Sequence, residues 1–205
     1  AWVILMNYPK TIQNLIECFK SLPGVGEKTA ERLALSLLNF DEEKINLFST
    51  SISDIKKKVK RCKICNNLSD EDECEICKNK TSRNTDVICV VEEPKNVILF
   101  EKVGSFNGLY HVLDGLISPL DGINPEDINI GSLIKRVKEN KPKEVIIALK
   151  SSIEAETTTL YIKKMLEGLD VNVTKLAQGV PIGVDMEYLD SMTLEMAFED
   201  RKDVA

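Results

Sequence analysis

The sequence carries one histidine, His111, among 205 residues. That scarcity removes most Cys-His and Ser-His-Asp mechanisms, which need an imidazole to move protons. His111 lies in the apolar string Tyr110-His111-Val112-Leu113, with no partner residues identifiable for a metal or a triad, so a structural role is expected. No stretch approaches the roughly 18 apolar residues of a membrane span. The string Trp2-Val3-Ile4-Leu5-Met6 is short, and it lacks the basic start, longer apolar stretch and small-residue cleavage site of a secretory leader. It is expected to pack on a core or a partner chain, or to precede a natural start at Met6, and the protein is expected in the cytoplasm, off the membrane. There is no P-loop, no internal repeat and no low-complexity tract.

What is present is ordinary globular material, 43% hydrophobic and 29% charged. The net charge is -6, so the chain as a whole repels nucleic acid and any such contact must come from a local basic patch.

The order of elements follows from periodicity. Ile12, Leu15, Ile16 and Phe19 fall on one helical face, as do Ala30, Leu33, Ala34, Leu37 and Leu38. Pro23-Gly24-Val25-Gly26 separates them as a turn. A third helix is expected from about Asp41, an N-cap residue, with Ile45, Phe48, Ile52, Ile55 and Val59 as its apolar face. From about residue 85 the pattern changes. Residues 87–91, 109–113, 144–149 and 171–176 read as buried strands. They alternate with helices expected at 95–102, 132–140 and 154–169, which predicts a parallel sheet of βαβ units. Residues 114–130 read as a long, functional-looking loop, and a last helix is expected from about Asp190 to Asp200. The expected divisions are a helical region at 1–61, a cysteine module at 62–78, an α/β domain at 79–180 and a C-terminal loop and helix at 181–205, expected to serve oligomerisation.

The sharpest motif is Cys62-x2-Cys65-x8-Cys74-x2-Cys77. Two CxxC knuckles place four thiolates around a tetrahedral ion at about 2.3 Å, a closed and therefore structural zinc site. Binding can contribute on the order of 10 kcal/mol, enough to order a segment without a core. The competing reading is two disulfides, which a reducing compartment disfavours. Cys18 and Cys89 lie on apolar faces and are expected to be buried and inert.

The second motif is Leu22-Pro-Gly-Val-Gly-Glu-Lys-Thr-Ala-Glu-Arg-Leu-Ala34, which resembles a helix-hairpin-helix DNA-binding element. Gly24 and Gly26 let a phosphate approach the backbone, and free amides at the second helix's start point at it. Lys28 and Arg32 share a helix face and could contact phosphates without reading sequence. The plain alternative is an ordinary helical hairpin. Lys56, Lys57, Lys58, Lys60, Arg61 and Lys63 then give six positive charges within ten residues. Such a run is usually a solvated face, but its place between hairpin and cysteines makes a DNA-facing surface plausible.

Acids form the last group. Glu92 and Glu93 follow the first expected strand, and Glu154 and Glu156 follow the third. Carboxyl ends of parallel strands share an edge where sites form, and two such acids could hold Mg²⁺. The arrangement resembles the Toprim domain of topoisomerases and primases. The alternative is helix N-terminal acids facing the macrodipole. A Toprim-type Mg²⁺-dependent primase or nuclease is the competing function, although Tyr110, Tyr161 and Tyr188 sit in no recognisable topoisomerase setting.

In this order, and with the strings at 108–113, 115–127 and 179–188, the motifs resemble the RecR family of recombination mediators over nearly the whole chain. The resemblance implies a non-enzymatic protein that binds single- and double-stranded DNA and acts with RecO-like and RecF-like partners to help load RecA. It also implies a dimer or ring tetramer, with the Toprim-like domain used for partner binding. It places DNA contact at Lys28 and Arg32, zinc at the four cysteines, and Toprim acidic positions at Glu92, Glu154 and Glu156. The chain departs from the family pattern at Ala148-Leu-Lys-Ser151, where an Ala-Thr-Asn-Pro-like string is usual.

Overall fold

The structure is a computed structural model that describes residues 7–177 and 179–201. The apolar string at 2–6 therefore lies outside the described residues. The chain divides into two units after Lys58.

In the first unit, helix α1 spans Lys10–Lys20 and α2 spans Glu27–Ser36. Ile16 of α1 is buried against Ala30 and Ala34, with Ile12, Leu15, Phe19 and Val25 half-buried around them. The alanines sit four apart on one face and have little side chain, so the helices pack closely. Lys20 pairs with Glu17 at 2.9 Å and with Glu27 of α2 at 2.7 Å. Cys18 is exposed, not buried as expected; a small core of alanines leaves that flank of α1 uncovered.

Helix α3 spans Glu42–Lys58. Asp41 caps it by accepting from the Lys44 amide at 2.8 Å. Its apolar stripe exists but is largely uncovered among the described residues. Ile45, Phe48, Ile52 and Ile55 are 37–61% exposed, and no described residue of α3 is buried.

The second unit opens with strands β1 (Lys60–Arg61) and β2 (Leu68–Ser69), an antiparallel pair, followed by the short helix α4 (Glu75–Lys78). The βαβ region follows: β3 (Val87–Val91), α5 (Pro94–Val103), β4 (Leu109–Val112), α6 (Ile130–Asn140), β5 (Glu144–Ala148), α7 (Ile153–Leu166) and β6 (Asn172–Lys175). The sheet is parallel, in the order β4-β3-β5-β6. Strands β3, β4 and β5 are apolar and largely buried on both faces, but β6, expected to be buried, is a half-exposed edge strand whose Asn172 and Lys175 face solvent, because no further strand covers it. One face packs Ile88, Val90, Val145 and Ile147 with Leu133, Val137 and Ile162 of the helices; the other packs Cys89, Val91, Tyr110 and Val112 with Val97. Cys89 is buried, as expected, and burial pushes its thiol up to about 12.

Local signals set the helix boundaries. Pro94 and a capping box between Glu93 and Asn96 start α5, and left-handed Gly104 stops it. Ser152 caps α7 by accepting from the Ala155 amide. Asp190 caps the last helix, α8 (Ser191–Glu199), by accepting from the Thr193 amide. The stretch expected as a long loop after β4 contains two 3-10 turns, Pro119–Asp121 and Pro125–Asp127. His111 is buried, and its Nε2 meets the Asn129 carbonyl at 2.9 Å. Burial lowers its pKa to about 4, so it is neutral and structural, as the apolar context implied.

Thr158 ties the loop to α7. Its fully buried hydroxyl donates to the Glu154 carbonyl at 2.6 Å and accepts from the Ile117 amide at 2.9 Å. Thr158→Val keeps the shape but leaves the Ile117 N–H without an acceptor. The substitution should lower stability by about 1–3 kcal/mol in urea unfolding, with an unchanged denaturant slope. A loss below about 0.5 kcal/mol would contradict this reading of the bond.

Candidate functional site

The four cysteines gather, their sulfurs all within 4.8 Å of one another. The first knuckle turns through Asn66, at φ 62, with the Asn66 amide donating to the Cys62 carbonyl at 2.9 Å. The second knuckle opens α4, where the Lys78 amide donates to the Cys74 carbonyl at 3.0 Å. Cys65 and Cys74 sulfurs lie 3.5 Å apart, and the Cys74 amide donates to Cys62 Sγ at 3.3 Å. A tetrahedron with bonds of about 2.3 Å has edges of about 3.8 Å, so this cage is the right size for zinc. All six cysteines are free thiols.

Electrostatics supports the same conclusion. Hydrogen bonds from Cys65 and Cys77 hold the Cys74 thiol well below its usual range. Cys65 and Cys77 are pushed up, chiefly by bonding to neighbouring sulfurs and by burial. Four thiolates gathered in a buried cage repel one another and are stable together only around a cation. The donor set therefore fits structural Zn²⁺, which would offset part of the thiolates' negative charge, bond all four sulfurs and fix the module.

The module is built onto the sheet. Strand β4 lies at the sheet's edge. Its open side is met by the zinc loop: the Val112 amide donates to the Cys65 carbonyl at 2.8 Å, and Asn66 Nδ2 donates to the Val112 carbonyl at 3.1 Å. Arg136 of α6 donates to the Tyr110 carbonyl at 2.6 Å on the same strand. Ile76, between the last two cysteines, packs on both sheet cores. Arg61 donates to both carboxylate oxygens of Asp114, at 2.7 and 2.9 Å, just past β4. Arg83 pairs with Glu101 and donates to the Gly108 carbonyl at 3.0 Å.

The hairpin is open to solvent. Gly24 has φ +79, a conformation other residues rarely adopt. Gly26 caps α2 with extended backbone and no side-chain hydrogen bond. A Cβ at either glycine would meet nothing within 4 Å. Neither internal packing nor, at Gly26, backbone angle requires glycine there; close approach by an external group would. Lys28 and Arg32 are exposed and have no ion pair among the described residues.

The basic run is less uniform than its sequence suggests. Lys57 is exposed without an ion pair among the described residues. Lys58 pairs with Asp54 at 2.6 Å, Lys60 lies 3.9 Å from Asp72, and Lys63 pairs with Asp72 at 2.5 Å. Arg61 is committed to Asp114. The Lys58 pair follows ordinary helical spacing, but nothing in the sequence marked Asp114 as the partner of Arg61, 53 positions away.

The acidic edge is not assembled as a metal site. Lys150 Nζ lies 3.1 Å from Glu92, and Lys175 Nζ lies 2.7 Å from Glu156. Glu154 opens α7, where its own backbone amide and the Ser152 hydroxyl hold its carboxyl below the ordinary range. Among the described residues only the cysteines bring three or more candidate ligands together. Two of the three acids thus face lysines rather than one another, so the edge offers a divalent cation no ready-made carboxylate cage.

Family models match the chain in the same order. The helix-hairpin-helix model of RecR matches residues 12–56, and the four-cysteine zinc finger model of RecR matches 59–79. A Toprim domain model matches 86–177, and the RecR C-terminal model matches 179–202. These findings define a class: a helix-hairpin-helix region, a structural zinc finger and a Toprim domain in one chain. Proteins named "Recombination protein RecR" are similar over nearly all of it. That of Natranaerobius thermophilus is 46% identical, over 98% of this chain and 100% of its own. That of Enterococcus faecalis is 46% identical over 97% and 100%, and that of Chloroherpeton thalassium 45% over 94% and 97%. The chain belongs to the RecR family.

The sequence missed Asn66, Asp114 and Arg136, which join the zinc module to the sheet. Arg136 left a faint signal, since it flanks the core positions Leu133, Ile134 and Val137 of α6. Purified protein should contain one zinc per chain. Cys65→Ser or Cys77→Ser should empty the site and cost about 4 kcal/mol or more, on the order of 10 °C in melting temperature. Cys18→Ser, on the exposed flank of α1, should change neither zinc content nor melting. Elemental analysis and calorimetry decide it.

Proposed function

We propose that the protein is a non-enzymatic, DNA-binding mediator of recombinational repair. The observation that carries this reading is the open hairpin, where two glycines expose the amides that begin α2 beside Lys28 and Arg32, which have no ion pair among the described residues. Such an array binds phosphate oxygens through N–H groups, helix dipole and cationic side chains, on single or double strands and without reading bases. Gly24, Gly26, Lys28 and Arg32 form the primary contact, and Lys57 can extend it. Lys58, Lys60 and Arg61 are occupied by acids and contribute less. The relatives' shared name supports the recombination role. The family resemblance supports RecO-like and RecF-like partners and help in loading RecA onto single-stranded DNA, with Glu92, Glu154 and Glu156 as a partner-facing edge. A location in the cytoplasm, near the nucleoid, goes with that role; no helix among the described residues is long and apolar enough to cross a membrane.

The competing reading, a Toprim-type Mg²⁺ enzyme, needs clustered carboxylates to stabilise charge at phosphorus. The lysine pairings at Glu92 and Glu156 weigh against it. The unpacked stripe of α3 supports a homo-oligomer, a dimer or ring tetramer, because a free apolar face of this extent normally has a partner.

The glycine argument has a sharp test. Gly26→Ser introduces a better helix cap, so stability should hold or rise by about a few tenths of a kcal/mol, while DNA affinity falls because the side chain fills the approach to the amides. Undiminished binding would contradict the assignment. Lys28→Ala/Arg32→Ala should weaken single-strand binding about tenfold or more and flatten the salt dependence by roughly 1.4 in slope, read by fluorescence anisotropy at two salt concentrations.

Self-assembly is tested separately. Phe48→Glu/Ile52→Glu should lower the mass seen by light scattering, and an unchanged mass would remove α3 from the interface.

A further inference from the structure

A second cationic site lies within the second unit, in a cleft of about 390 Å³ between the zinc module and α6. Its walls carry Lys63, Lys80, Lys135 and Arg136 against one acid, Glu139. Lys63 spends its charge on Asp72, and Lys135 lies 3.9 Å from Glu139. Lys80 and Arg136 have no carboxylate partner among the described residues.

Arg136 is the informative residue. It is only 6% exposed. One guanidinium nitrogen is anchored on the Tyr110 carbonyl at 2.6 Å, while Nε is buried with no hydrogen-bond partner. A buried, permanently charged group with an unfilled donor and no counter-ion is costly. His111, which feels the Arg136 charge, is neutral and offers no compensation. If capping the edge strand were its whole role, a neutral donor such as glutamine could serve without that cost. Nε is sealed from the cleft, but the second terminal nitrogen has no hydrogen-bond partner among the described residues, and a guanidinium anchored at one end beside two flexible lysines matches the oxygens of a phosphate. The cleft volume lies within the range of small-ligand sites and admits a phosphate with its attached sugar.

We propose that this cleft binds a phosphate group, carried by a nucleic-acid strand or by a free nucleotide, with Arg136 as the fixed donor and Lys80 and Lys135 closing on it. The site is separate from the hairpin, and its existence does not rest on the hairpin's role.

Lysine acetylation of the zinc-loaded full chain, read by mass spectrometry, tests it. Arms contain a thymidine oligonucleotide, thymidine monophosphate or inorganic phosphate. Lys80 and Lys135 should be modified at least about threefold more slowly in one or more arms, relative to Lys102, which does not line the cleft. Protection by the oligonucleotide alone identifies a strand as the source; protection by the monophosphate or by phosphate as well identifies the free group. The same experiment in Lys28→Ala/Arg32→Ala isolates the cleft from the hairpin: protection by the monophosphate should persist there even if strand binding is lost. Lys80→Glu/Lys135→Glu, both at exposed positions, should weaken the protecting ligand about tenfold while melting and zinc content stay unchanged. No protection in any arm, or equal affinity in this double variant, overturns the proposal.

Discussion

The second unit depends on how the β4 edge of its sheet is closed. Strand β4 ends the order β4-β3-β5-β6, so alternate amides and carbonyls of β4 face away from the sheet. Unpaired edges of this kind recruit other strands and aggregate. Here the carbonyl of Cys65 and the side chain of Asn66 take the two polar groups of Val112, and Arg136 takes the carbonyl of Tyr110. The zinc loop is thus the edge's cover. A loop with few apolar residues can hold that position because metal–sulfur bonds replace the core it lacks. Asn66, turned into the left-handed region by the knuckle, links the two: the conformation that brings Cys62 and Cys65 together also aims its amide at β4.

Charge is distributed with the same local logic. The chain is acidic overall, and many of its cations are matched by nearby acids. Among the cations with no ion pair in the described residues, two pairs sit beside other donors: Lys28 and Arg32 beside exposed amides, Lys80 and Arg136 beside the zinc module. At the carboxyl edge of the sheet the balance runs the other way. Lys150 and Lys175 occupy the positions from which a cation would neutralise Glu92 and Glu156. Lys150 belongs to the string that departs from the family pattern, so the difference visible in sequence has a physical consequence: the edge carries its own counter-charges.

Much of this was legible from residues alone. The strands at 87–91, 109–112 and 144–148 follow from short apolar runs, and the helices between them from period and caps; the strand at 172–175 was placed correctly, but its half-exposure was not foreseen. The cysteine spacing specified the cage, because two CxxC turns can face each other in few ways. What the sequence hid were relations between distant residues. The partner of Arg61 is Asp114, and the partner of the Asn66 side chain is the Val112 carbonyl; neither follows a periodic rule. The apolar face of α3 was readable, but periodicity reports that a face is apolar, not what covers it. Cys18 failed for a related reason: a residue flanking a helical stripe is buried only if the neighbouring element is large, and α2 offers alanines.

The central claim is that zinc-held backbone closes the sheet. Hydrogen exchange at the Val112 amide measures it most directly, with and without metal. With zinc bound, that amide should exchange slowly despite its place on an edge strand. After chelation, confirmed by elemental analysis, its exchange should rise by about tenfold or more, ahead of Val90 at the sheet's centre. If Val112 is equally protected once the metal is gone, the zinc loop is not what closes the edge, and the account fails.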